Sequence, residues 1–176
     1  TLLASDQGVL ALFAVADTIK ESSRQAVAEL KALGVRPVML TGDNSATAKT
    51  IATQAGIEEA RGNLLPQDKL QAIESLQHEH GMTAMTGDGI NDAPALHAAD
   101  VGISVNNAVD VAKDAAQLIM LEHDLQVLVT GIKEGRKTFA NTMKYIFMAT
   151  SANFGNMFSM AGASLILPFL PLLPHQ

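Results

Sequence analysis

"MTAMTGDGINDAPALHAADVGISV", residues 82–105, decides the fold. A short apolar run ends at Thr86, and a glycine-rich loop with Asp88, Asn91 and Asp92 follows it. The amphipathic stretch APALHAAD then leads to a second apolar run, VGISV. Strand, loop, helix and strand in that order make a βαβ unit, and such units build parallel sheets. Asp88 directly follows the first strand, so its carboxylate is expected at the carboxyl edge of the sheet, where open α/β sheets bind ligands. Gly87 and Gly89 let the backbone turn sharply and approach a ligand closely. Two acids this close need a cation, a proton donor or water between them. Oxygen donors without His or Cys suit a hard cation such as Mg²⁺. A plain turn with capping acids accounts for one Asp-Gly. It does not account for a second Asp and an Asn at the same strand end.

The alternation continues on either side. GVLALFAV (8–15) reads as a strand, ESSRQAVAELKALG (21–34) as a helix stopped by Gly34, and VRPVML (35–40) as the next strand. Further helices are expected over 45–55 and from Pro66 to about His80, with strands at 59–64 and 116–121. The whole predicts an α/β protein with a doubly wound parallel sheet. A second loop, TGDN (41–44), also sits at a strand end and opens a helix. The Thr41 hydroxyl and Gly42 amide are donors suited to phosphate oxygens, and a helix N-terminus favours an anion. Thr-Gly-Asp is equally an ordinary N-cap sequence. Lys69, on the first turn of its helix, is placed to neutralise a phosphoryl group; taken singly it reads as a solvated surface lysine.

Charge and composition bound the partners. The net charge of −6 provides no basic face for nucleic acid, and the lack of cysteine excludes disulfides and thiolate metal sites within this stretch. Residues 145–167 contain no Asp, Glu, Lys, Arg or His. That run of 23 residues has the length of a transmembrane helix. Lys133, Arg136, Lys137 and Lys144 precede it and predict a cytoplasmic N-terminal end. The expected division is an α/β domain over 1–123, a stalk helix over 124–144, a membrane helix over 145–167 and a membrane-edge loop over 168–176. A chain that starts with Thr and carries one spanning helix reads as a piece of a larger protein. The five histidines are scattered and suggest no metal site. The methionines of the apolar segment read as packing or lipid-facing surface.

"TGDNSATAKTIA", "LPQDK" and "TGDGINDAPALHAADVGIS" resemble the second half of the phosphorylation domain of P-type cation-transporting ATPases. The resemblance implies a haloacid-dehalogenase-like fold, with Thr41 and Gly42 binding a phosphoryl group, Lys69 stabilising its charge and Asp88 ligating Mg²⁺. It places Asn91 against the phosphoryl group and Asp92 in the metal site, where it also orders Lys69. "ADTIKES" resembles the family's Asp-Pro-Pro-Arg hinge and puts Asp17 and Lys20, with Asp43, on the nucleotide side. Thr18 and Ile19 replace the prolines, and Lys20 lacks the fork of an arginine. The aspartate that the family phosphorylates, in "DKTGT", does not occur in this sequence. By this resemblance the chain is part of an ATP-driven pump in a membrane, the bacterial plasma membrane being the expected one, with its soluble domain cytoplasmic. Alone, it is expected to be inactive.

"SANFGNMFSMAGASLILPFLPLLP" is most similar to the magnesium-translocating branch, with proton, calcium and heavy-metal pumps as alternatives. Asn153 and Asn156 lie on one helix face and suit either a transported cation or interhelical hydrogen bonds. Two competing functions remain: a soluble Mg²⁺-dependent phosphatase of the same fold, and a non-catalytic remnant.

Overall fold

The computed structural model describes residues 2–5, 8–12 and 19–167. The expected strand residues 13–15, Asp17 and the proline-rich stretch 168–176 lie outside them. Two compact units divide the chain, residues 1–129 and 130–176.

Within the first unit, strands and helices alternate in the expected order. A hairpin pairs β1 (Leu2–Ser5) with β2 (Gly8–Leu12) antiparallel. The expected strand at 8–15 therefore runs in a separate ribbon rather than in the parallel sheet. Then come α1 (Glu21–Ala32), β3 (Val38–Leu40), α2 (Ser45–Ala55), β4 (Glu59–Arg61) and α3 (Pro66–His80). These are followed by β5 (Ala84–Thr86), a 3-10 turn (Ile90–Asp92), α4 (Ala93–Ala98), β6 (Val101–Val105), α5 (Asp110–Ala115) and β7 (Leu118–Met120). Parallel pairing joins β3 to β4, and β5 to β6 to β7, in two sheets. Among the described residues, the outer edges of β3 and β5 carry no strand partner.

Local chemistry sets the element ends. Asn44 caps α2 by accepting the Thr47 N–H at 2.8 Å, and Gly56, at φ 78°, closes it in the left-handed region. Pro66 opens α3, whose Asp68 carboxylate accepts the Leu65 N–H at 2.9 Å. Lys69, Ala72, Ile73 and Leu76 form the buried stripe of α3, at helical spacing. The core gathers Ile73, Met85, Leu96, Ile103, Val105 and Met120 from α3, α4 and the three-stranded sheet. Burying a side chain such as Leu96 contributes about 1.5–3 kcal/mol. At the opposite edge from the candidate site, the Asp100 carboxylate accepts the Thr83 N–H at 2.7 Å. The Asp100 N–H donates back to the Thr83 carbonyl at 3.0 Å. The Thr83 N–H, and then the Gln77 side chain, hold the Asp100 carboxyl below the usual aspartate value.

The last helix, α6 (Leu125–Ile166), is continuous through both the expected stalk and the expected membrane segment. The transmembrane expectation for 145–167 needs correction. Among the described residues no helix is long and apolar enough to cross a membrane. Asn153 and Asn156, with Thr150, Ser151, Ser159, Ser164, Gly155 and Gly162, dilute the apolar side chains. The segment lacks charge without being apolar throughout, and those are different properties on a transfer scale. Phe147, Phe154, Phe158 and Leu165 are all exposed on it.

Candidate functional site

The carboxyl end of β5 carries the acidic loop. Gly87 donates its N–H to the Ile103 carbonyl at 3.1 Å, and its own carbonyl accepts the Ser104 hydroxyl at 3.0 Å. Ser104 is fully buried. The Asp88 carbonyl accepts the Val109 N–H at 3.1 Å, which fixes the next residue of the loop to the start of α5. A Cβ on Gly87 would lie 2.6 Å from the Cβ of Asp92, so glycine is required there for the loop to close on that side chain. Asp88 is left exposed at the tip.

Asp92 does something different. Its carboxylate accepts Lys69 Nζ at 2.6 Å through one oxygen and the Gly89 N–H at 3.2 Å through the other. Both members of the ion pair are nearly buried, with side-chain exposures of 11% and 12%. A buried pair of this kind fixes geometry more than it adds stability, and losing one member strands the other charge. The structure thus joins Lys69 to Asp92, with both Asp92 oxygens already engaged. Asn91 lies in the 3-10 turn and is exposed.

The loop after β3 forms a second piece. The Thr41 hydroxyl donates to Asp43 Oδ2 and accepts the Asp43 N–H, both at 3.2 Å. The Thr41 N–H donates to the Arg61 carbonyl at 3.0 Å, and the Thr41 carbonyl accepts the Leu64 N–H at 3.1 Å. Gly42 is exposed, and none of the described residues accepts its N–H. No hydrogen bond or ion pair among the described residues connects Thr41, Gly42 or Asp43 to Asp88 or Lys69. They share position, at the carboxyl ends of β3 and β5, rather than contact.

A cavity of about 560 Å³ opens in the first unit. Met39 of β3, Val27 of α1 and Val105 of β6 are among its apolar lining, while Lys20, Asp88 and Asp124 are polar groups on it. Lys20, at the start of α1, therefore shares a wall with Asp88. Asn153 and Asn156 are exposed on α6 in the second unit. Among the described residues no cluster of three His, Cys, Asp or Glu is set to cage a metal. Among the described residues on the cavity, Asp124 accepts the Gln126 N–H at 2.9 Å, while Asp88 has a hard carboxylate with no hydrogen-bond or ion-pair partner. That fits Mg²⁺, which takes one or two carboxylates and fills its remaining positions with water and phosphate oxygens.

Sequence reading missed Ser104, because one serine in an apolar strand gives no signal of what its hydroxyl meets. It also missed Asn63, whose place is decided by a neighbouring loop.

The family-level comparisons agree with this architecture. A family model for hydrolases, described as haloacid dehalogenase-like hydrolase, matches residues 2–100. The chain belongs to the haloacid dehalogenase-like hydrolase family. Within it, the similarity runs to P-type cation-transporting ATPases. The chain is 42% identical to a "Magnesium-transporting ATPase, P-type 1" of Escherichia coli (strain K12), over 90% of this chain and 20% of that protein. It is 48% identical to the probable copper-transporting ATPase PacS of Synechocystis sp., over 84% of this chain and 20% of that protein. The structure of a zinc-transporting PIB-type ATPase in the E2.Pi state superposes with a TM-score of 0.80 at 38% identity. That match covers 94% of this chain and 26% of the zinc pump's. The chain spans about a fifth of the length of these curated relatives. Copper and magnesium pumps are comparably similar, so the magnesium branch expected from the C-terminal segment is not singled out.

Proposed function

We propose that this chain supplies the metal- and phosphoryl-binding half of an ATP-driven cation pump that cycles through an aspartyl-phosphate. The observation that carries the reading is the nearly buried Lys69–Asp92 pair, whose Asp92 follows the exposed Asp88 in the segment after β5. Asp88 would hold Mg²⁺, with Asn91 beside it. When bound, Mg²⁺ would draw charge from the phosphoryl oxygens of ATP. Asp92, whose carboxylate accepts from Lys69 Nζ at 2.6 Å, would orient the lysine toward the phosphoryl group. The Thr41 hydroxyl and the Gly42 N–H would donate to the oxygens of the transferring group, in the manner of preorganised donors. The accepting aspartate would come from a segment outside this chain. Among the described residues the outer edges of β3 and β5 carry no strand partner, and a further strand pairing there would bring it in. Lys20 and Asp43 would face the nucleotide side, and Asp17 would join them.

The transported ion is proposed to be an inorganic cation of the parent protein. Mg²⁺ is the first to test, on the strength of the Escherichia coli relative; copper and zinc follow from the other two relatives. Asn153 and Asn156 remain proposed contacts for that ion or for a neighbouring helix. The parent would reside in a membrane with residues 1–129 on the cytoplasmic side. A soluble Mg²⁺-dependent phosphatase is the second reading, favoured by the hydrolase description of the matching family model.

In the full-length parent, Asp88→Asn is expected to abolish Mg²⁺-dependent labelling by radioactive ATP. Undiminished labelling would remove Asp88 from the metal role.

A further inference from the structure

Asn63 is the one non-glycine among the described residues with a positive φ, 58°. Asparagine tolerates that conformation better than most residues, so a turn preference alone could explain it. Its contacts go further. The Asn63 N–H donates to the Asp43 carbonyl at 2.6 Å, and its side-chain amide donates to Ser45 Oγ at 2.9 Å. Asp43 belongs to the loop that follows Thr41, and Ser45 is the first residue of α2. Neighbouring Gly62 leaves no gap: a Cβ there would stand 2.7 Å from Ser45 Cα. Arg61 and Leu64 grip Thr41 from the same turn. Arg61 is itself tied to Glu59 through Nη2 at 2.7 Å.

We infer that Asn63 is a positioning residue for the phosphoryl-binding loop Thr41–Ser45, acting through Asp43 and Ser45. This rests on the proposed role of Thr41 and Gly42. The turn occupies the Thr41 N–H, the Thr41 and Asp43 carbonyls and the Ser45 hydroxyl. It leaves the Gly42 N–H without an acceptor among the described residues, and it reaches Ser45, the first residue of α2. The same turn continues into Leu65 and α3, which carries Lys69. A single segment, residues 61–65, therefore sets the loop's shape and starts the helix of the phosphoryl-neutralising lysine.

The test uses the whole chain, isotopically labelled, with inorganic phosphate as the probe. Asn63→Gly keeps the positive φ and removes only the side-chain bond. It is expected to speed amide exchange at residues 42–45 and to raise the phosphate Kd about fivefold, the size of one hydrogen bond. Ser45→Ala should act alike, and the double variant should be no worse than either single one, as coupled partners require. Asn63→Asp, which accepts from the Ser45 hydroxyl, should restore slow exchange. Unchanged exchange in Asn63→Gly, or additive effects of the two substitutions, would overturn the inference. If phosphate moves no Thr41 or Gly42 resonance in the unsubstituted chain, the phosphoryl-binding reading falls instead. The exchange arm still decides whether Asn63 orders the loop.

Discussion

The two strand-end loops look alike in sequence, TGDN and TGDG, yet they are held by opposite means. The loop after β5 is anchored from within: Lys69 and the fully buried Ser104 grip it from beneath, and Gly87 folds onto Asp92. The loop after β3 is anchored from outside, by an exposed turn 18 positions further along the chain. A buried anchor is coupled to the core, so disturbing it should cost global stability. An exposed anchor is coupled to solvent-accessible hydrogen bonds, so disturbing it should change local order with a small stability cost.

The largest break expected is Lys69→Met, which leaves Asp92 charged and nearly buried without its partner. Chemical denaturation should show a loss of about 3–5 kcal/mol, with part recovered in Lys69→Met/Asp92→Leu. An unchanged midpoint would mean that the pair is solvated. Ser104→Ala strands the Gly87 carbonyl in the core and should cost about 1–3 kcal/mol by the same measurement. It should also shift the Asp88 amide resonance while leaving Thr41 in place. Gly62→Ala is the converse. The added methyl meets backbone, so residues 43–45 should move at about 1–3 kcal/mol cost, with Asp88 undisturbed. Movement at both loops in either variant would dissolve the contrast.

The smallest effect is acid-dependent and serves as a control far from both loops. Asp100 has its carboxyl value lowered by the Thr83 N–H first and the Gln77 side chain second. A depressed folded value means its contribution is complete above the unfolded value of about 3.9. That contribution is lost as pH falls below it, through the folded value. Thermal melts of Asp100→Asn should therefore lie slightly below those of the unsubstituted chain at neutral pH and converge with them in acid. A gap that widens in acid would contradict the assignment.

Much of this was readable in advance because local rules decided it. Asn44, Gly56, Pro66 and the stripe Lys69–Leu76 announce the ends and faces of α2 and α3 through short-range chemistry. Asp88 was legible because its strand, loop and helix are contiguous. The membrane expectation failed for an equally local reason: counting charges over 145–167 ignored what Asn153 and Asn156 do to hydropathy. The pairing of β2 with β1 was not legible, since an apolar run does not say which strand it joins. Ser104 and Asn63 were hidden because each acts on a loop remote from it in the chain.

The sequence by itself determined the parallel βαβ order, the acids and glycines at the strand ends and the family they belong to. These depend on the identity and spacing of neighbouring residues. Only the tertiary structure decided that Lys69 and Asp92 meet as a nearly buried pair, that Ser104 holds Gly87, and that Asn63 reaches Asp43 and Ser45. Each of those is a hydrogen bond or ion pair between segments far apart in the chain, and no local pattern records which distant group a side chain will meet.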